Sequence, residues 1–136
     1  MTASTLPQIV NPGPLPDPSP NGYNTAVIAP ASARLAFVSG QGGQDHTGAL
    51  SPDFATQVRQ AYANLGAVLE GLGAGPERVV KLTTYVVDHD PSKLGPLTEA
   101  VMALFGDRLP AQTLVGVAAL AIPPMLFEVE AVVALD

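Results

Sequence analysis

Between residues 51 and 87 the apolar pattern changes its period once, and this change limits the fold more than any other feature. Ser51-Pro52-Asp53 reads as a helix start. The serine caps, the proline suits the first helical position, and the aspartate suits the positive end of the helix dipole. Phe54, Val58, Tyr62, Leu65, Val68, Leu69 and Leu72 follow at spacings of three and four, which predicts a helix with one buried face. Gly73 stops it, with Pro76 behind. Arg78 to Val87 then alternates with period two and is rich in β-branched residues, which predicts a central strand. Val80, Leu82, Thr84 and Val86 share one of its faces; Lys81, Thr83 and Tyr85 share the other.

Outward from this pair the chain supplies further elements. Thr25 to Ala29 and Leu35 to Ser39 read as two short strands joined by the turn Pro30-Ala31-Ser32-Ala33 into a hairpin. Gly40, Gly42, Gly43 and Gly48 mark a loop. Asp88-His89-Asp90-Pro91 ends the central strand, and a second helix over 96–105 carries Leu97, Val101, Leu104 and Phe105 on its buried side. Gln112 to Leu120 and Leu126 to Leu135 read as two more strands, joined by a bend at Pro123-Pro124. The predicted order is strand, strand, helix, strand, helix, strand, strand. Two helices cover one face of such a sheet. The other face, with Leu114, Gly116, Ala118 and Leu120 assigned to it, has nothing left in the chain to cover it, which argues for self-association.

Before this core lies a proline-rich stretch. Seven of the 14 prolines fall in the first 30 residues, where the only charge is Asp17. Pro12, Pro14, Pro16, Pro18 and Pro20 alternate with other residues, a run that excludes regular helix and a regular strand ladder. Residues 1–22 are therefore expected as an extended N-terminal segment of a single 136-residue domain, with residues 11–22 polyproline-like and laid over its surface.

Composition removes several function classes. There is no cysteine, hence no disulfide, thiolate metal site or thiol nucleophile. The net charge is −6, and the six basic residues Arg34, Arg59, Arg78, Lys81, Lys93 and Arg108 are scattered, so no basic stripe for nucleic acid is expected. No basic residue precedes Arg34 and no apolar core follows the start, which argues against a signal peptide. The longest late uncharged stretch has an apolar heart of nine residues, Leu114 to Ile122, against the roughly 20 that a membrane helix needs. The expectation is a soluble, acidic, cytoplasmic protein without membrane contact.

An ordered set of short motifs carries a resemblance. Gly22-Tyr23 precedes the first core strand, Phe37-Val38-Ser39-Gly40-Gln41 ends the hairpin, and Gly48 sits in the loop. Asn64-Leu65 lies in the long helix, and Val79-Val80-Lys81-Leu82-Thr83 precedes Asp88. Pro110-Ala111 leads a strand, and Glu128-Val129-Glu130-Ala131 lies in the last one. Taken over residues 23–135, the chain resembles the RidA/YjgF family of reactive intermediate (enamine/imine) deaminases. The resemblance implies a chorismate-mutase-like α+β fold: a mixed sheet with two helices on one face, assembled as a homotrimer with sheets packed inward and three clefts between subunits. It implies water addition to enamine or imine intermediates, without a cofactor or metal. By position it assigns Tyr23, Ser39 and Thr98 to the cleft and Glu128 as the catalytic carboxylate that positions or activates water. The family's carboxylate-binding arginine falls at Gln112. A guanidinium forks onto a carboxylate with charge-assisted bonds, and an amide does not. Gln112 therefore predicts a small enamine, imine or related metabolite other than the standard 2-iminoacid. The alternative is a non-catalytic trimer that binds a small metabolite in the same cleft. Ribonuclease activity, attached to some members, is opposed by the net charge.

Read from the residues alone, each candidate keeps a second interpretation. Glu128 and Glu130 point to one face of a strand and serve equally as a solvated pair. Gln112 is a ligand-facing amide or an inert replacement, with Arg108 four residues earlier as a possible substitute cation. Tyr23 lines a site or plugs a sheet edge. Ser39 has no base nearby in sequence and does not read as a nucleophile. Asp45-His46 and Asp88-His89-Asp90 lack fixed ligand spacing for a metal, and Gly40-Gln41-Gly42-Gly43 lacks the lysine of a phosphate loop.

Overall fold

A computed structural model describes residues 6–136. The elements are β1 (Gln8–Val10), β2 (Ala26–Ile28), β3 (Arg34–Gly42), α1 (Phe54–Gly71), β4 (Val79–Val87), α2 (Leu94–Phe105), β5 (Ala111–Val117) and β6 (Phe127–Leu135), with three-residue 3-10 turns at Ser19–Asn21, Pro76–Arg78 and Pro91–Lys93. This is the expected α+β fold, a mixed sheet with two helices on one face.

The helix α1 occupies the predicted span, with its cap moved. Asp53, not Ser51, is the N-cap: its carboxylate accepts from the Thr56 amide at 3.0 Å, while Ser51 Oγ accepts from the Asp53 amide at 3.1 Å. The helix closes with Ala74 N–H donating to Leu69 O (2.9 Å) and Gly73 N–H to Glu70 O (3.0 Å), the paired bonds of a left-handed C-terminal stop.

β3, β6, β4 and β5 form a four-stranded sheet in that order. β6 runs antiparallel to β3 and β4, and β4 and β5 are parallel. The parallel pair needs a crossover, which α2 supplies. Both helices lie on one face. There Val58, Leu65, Leu82, Val86, Phe127, Val129 and Val133 are fully buried. Phe54 stacks edge-on against Phe127, and Tyr62 tilts over the same ring. Two polar side chains, Gln57 and Thr84, are fully buried in this layer, and Gln57 is fully bonded. It donates to Ser51 O (2.7 Å) and Pro124 O (2.9 Å) and accepts from Leu126 N–H (2.9 Å). On α2 the buried residues are Leu97, Ala100, Val101 and Phe105, and Leu104 is only half-buried.

Four expectations are corrected. β2 does not pair with β3. The turn forms, with Ala33 N–H donating to Pro30 O at 3.1 Å, but β2 pairs antiparallel with β1 as a separate two-stranded sheet. The turn lacks the Gly or Asn that a tight hairpin loop demands, so the strands splay. The N-terminal segment is extended at β1 but not throughout, since it turns at Ser19–Asn21; its residues 1–5 lie outside the described region. In β4 a register shift between Val79 and Lys81 puts Val79 rather than Val80 in the core. In β5 Leu114 packs against the helix-covered core and Val115 is exposed, while Ala118 and Leu120 lie beyond the strand end.

Among the described residues no element covers the other face of the sheet, whose membership differs from the expected one. Phe37 (75% exposed), Leu35 (50%) and Val115 (37%) stand out among its side chains. Among the described residues no helix is long and apolar enough to cross a membrane.

Candidate functional site

The segment that carries Tyr23 is fixed by its neighbours. Gly22 turns the chain with φ +89°, and a Cβ there would meet Val101 Cγ1 at 2.7 Å, so only glycine fits. Asn24, buried, donates its amide N–H to Pro110 O at 3.0 Å and its side-chain Nδ2 to Leu109 O at 2.7 Å. Its Oδ1 accepts from Asn11 Nδ2 at 2.8 Å, and Asn11 Oδ1 accepts from the Thr25 amide at 2.7 Å. Arg108 reaches back to Pro7 O at 2.6 Å. These bonds lay residues 22–25 along the start of β5, with a parallel bridge between Asn24 and Ala111.

A cleft of about 360 Å³ opens at this edge. Tyr23, Asn24 and Thr25 form one side, and Lys81, Gln112 and Thr113 another. Leu15, Pro16, Asp17 and Pro18 of the proline-rich segment complete the wall. The Asp17 carboxylate is held below the usual carboxylate range by hydrogen bonds from the Ser19 amide and hydroxyl, at 3.0 Å each. Lys81 Nζ donates to Thr113 Oγ1 at 2.7 Å.

Tyr23 and Gln112 thus line one cleft within one chain. The other candidates lie elsewhere. Glu128 is on β6 opposite Tyr85 and Gly42, and its carboxylate fills the space over Gly40, where any Cβ would collide with it. From the strand order and register, Glu128 is two strands across and three residues along from Gln112, about 14 Å between backbones. Ser39 sits beside Gly40 in the irregular stretch of β3 between Val38 and Gln41, and its carbonyl accepts from Gln41 Nε2 at 3.0 Å. Thr98, on α2, packs beneath Gly22 and is not part of the cleft lining. Arg108 is engaged with Pro7 rather than serving as a cleft cation.

A second polar group lies on the uncovered face. The Tyr85 hydroxyl donates to Glu130 Oε1 at 2.5 Å. That bond, then burial, then the charges of Glu130 and Glu128, push the Tyr85 hydroxyl above its ordinary pKa. Among the described residues no three His, Asp or Glu side chains converge as a metal would require.

Lys81 and Asn24 are among the cleft residues missed from sequence. Lys81 was read as part of an alternating strand face, as a scattered base and as part of a short motif, without a place in a cleft. Asn24 was not singled out at all, although a polar residue between Tyr23 and a strand start is a signal for side-chain bonding to a neighbouring backbone.

Comparison with known proteins gives a consistent result. The profile of the family described as Endoribonuclease L-PSP matches residues 16–135. A RutC family protein of Aquifex aeolicus is 39% identical over 97 residues, 69% of this chain and 74% of its own. The RutC family protein YjgH of Escherichia coli is 37% identical over 68 residues, so this match spans half of each protein. The crystal structure of YyfB from Yersinia pestis, a conserved Rid family protein described as of unknown function, superposes with a TM-score of 0.90 at 36% identity, covering 95% of this chain and 98% of that one. The residues matched by the profile, the shared sequence and the shared fold agree: the chain belongs to the RidA/YjgF family, whose profile is described as Endoribonuclease L-PSP.

Proposed function

We propose that the protein hydrolyses a small enamine, imine or related metabolite in clefts between the subunits of a homotrimer. The observation that carries this reading is the position of Glu128. It is a carboxylate given room by Gly40, on a sheet face where Phe37, Leu35 and Val115 are exposed and the described residues supply no cover. A second copy packed on that face would shield the carboxylate and bring a cleft edge towards it. Membership in the Rid family fits small-metabolite processing.

In this mechanism Glu128 accepts a proton from water as the water oxygen adds to the carbon of the C=N bond. The nitrogen takes up protons and leaves as ammonia, and a carbonyl remains. Tyr23 and Gln112 hold the substrate. Gln112 makes neutral hydrogen bonds, about 0.5–1.5 kcal/mol each against about 1.5–3 for charge-assisted ones, so the substrate differs from the 2-iminoacids that a forked cation at this position would favour. The word endoribonuclease in the family description finds little support here, because the chain carries a net charge of −6 and the cleft offers one cation.

The test is the Glu128→Gln variant, assayed for ammonia and carbonyl release from an imine generated in place by an amine oxidase. The expected outcome is acceleration by the wild-type protein and a loss of about 10²-fold or more in the variant. Equal rates in the two proteins would overturn the reading.

A further inference from the structure

We infer that Lys81 is the anion anchor of the cleft, and that the ligand group it takes is a small carboxylate. The inference rests on the proposed use of the cleft and names its specificity residue. Gln112 offers no charge, and Arg108, the other candidate cation nearby, is bonded to Pro7. Lys81 is the one cation on the cleft lining. Its ammonium has three donors and spends one on Thr113 Oγ1. It makes no ion pair among the described residues: the acid on the same lining, Asp17, is bonded to Ser19 instead. In a chain with twice as many acidic as basic residues, a half-buried lysine without a carboxylate partner is poised for one from outside. Thr113 adds a second donor, because its hydroxyl oxygen accepts from Lys81 and its proton stays free to point into the cleft.

The position also bears on the choice of acid. Lys81 is on β4, one strand over from Gln112, which pairs with its neighbour Leu82. Successive residues of a strand point to opposite faces, so Lys81 and Gln112 direct their side chains to opposite sides of the sheet, and a carboxylate held at Lys81 stands elsewhere than one held by a cation at residue 112. A 2-iminoacid anchored there would present its reacting carbon at a different place. A point charge also imposes less orientation than a guanidinium fork. The same substitution pattern therefore keeps an anion site and changes which acid is oriented for water attack.

The experiment is a binding titration of the full chain by calorimetry, with pyruvate as the carboxylate probe and pyruvamide as its neutral counterpart. Wild type, Lys81→Met and Lys81→Arg are compared, with circular dichroism confirming the fold of each. Pyruvate affinity is expected to fall about tenfold or more in Lys81→Met and to be largely kept in Lys81→Arg, while pyruvamide binding is the same in all three. Salt should weaken pyruvate binding to wild type and leave the Met variant indifferent. Equal pyruvate affinity in wild type and Lys81→Met, or no pyruvate binding by wild type, overturns the inference. The readout is binding, so the two proposals fail separately. Lys81-dependent binding without imine turnover overturns hydrolysis alone. Turnover with Lys81-independent pyruvate binding overturns the anchor alone.

Discussion

The two faces of the four-stranded sheet share every strand and end in opposite conditions. On the covered face Phe127, Val129, Val133, Leu82 and Val86 lose all contact with solvent, and the single fully buried amide, Gln57, has three partners. On the open face Phe37 keeps 75% of its surface exposed, and the polar groups Tyr85 and Glu130 bond to each other. The alternation of one strand serves both. In β6, Phe127, Val129, Ala131 and Val133 point inward, and Glu128 and Glu130 point outward with Tyr85 and Lys81 of β4. The difference shows a division of labour. One face supplies the stability of the chain, and the other carries the groups to which we assign the proposed action on a ligand or a second copy.

The largest expected effect breaks the first half of this contrast. Phe127→Ala removes a ring packed by Phe54 and Tyr62 and should cost about 3–5 kcal/mol in denaturant unfolding at fixed protein concentration. A loss below about 1 kcal/mol would mean that the covered face is not the stabilising one.

Phe37→Ser should do the reverse. Within one chain its ring is exposed, so the folding free energy of the chain should move by less than about 0.5 kcal/mol. The proposed trimer should weaken instead. Light scattering at micromolar concentration is expected to fall from three times the 13.9 kDa chain mass towards a single chain. An unchanged mass would place the subunit contact elsewhere.

The smallest effect concerns Tyr85. Its raised pKa means the fold favours the neutral phenol, so this contribution to stability is complete below about pH 10 and is lost as pH rises through the folded-state value. Glu130→Gln removes the negative charge and should bring the Tyr85 titration back down. Tyrosinate absorbance resolves this, with Tyr85→Phe identifying the phase. A Tyr85 transition at the same pH in Glu130→Gln would show that the pair is not electrostatically linked.

Much of the candidate site was legible as residue types and little of it as an arrangement. Tyr23 and Gln112 were named from short motifs, and they share a cleft because Gly22 and Asn24 fasten one segment to the start of β5. Ser39 came from the same kind of motif and Thr98 from its position on the second helix, and neither lines that cleft. Motif position says which residue type stands where in the chain; side-chain convergence depends on strand order and register, which no short motif encodes. Lys81 makes the point most directly. Its place in the cleft follows from β5 lying parallel beside β4, a pairing set through α2 and not by any residue near Lys81.

The sequence by itself determined the elements whose causes are local. Helix α1 follows from its apolar spacing and its Gly73 stop, and β4 from its β-branched alternation. A cap shift from Ser51 to Asp53 does not disturb this, since both side chains offer the oxygen that the first turn requires. Tertiary structure alone decided the partners. It paired β2 with β1, moved Val79 into the core by a register shift, and turned Leu114 towards the helices and Val115 away. The physical reason is range. Helix bonds close within four residues, so their signals are contiguous. A strand takes its partner from anywhere in the chain, and one shifted residue reverses which side chains face the core.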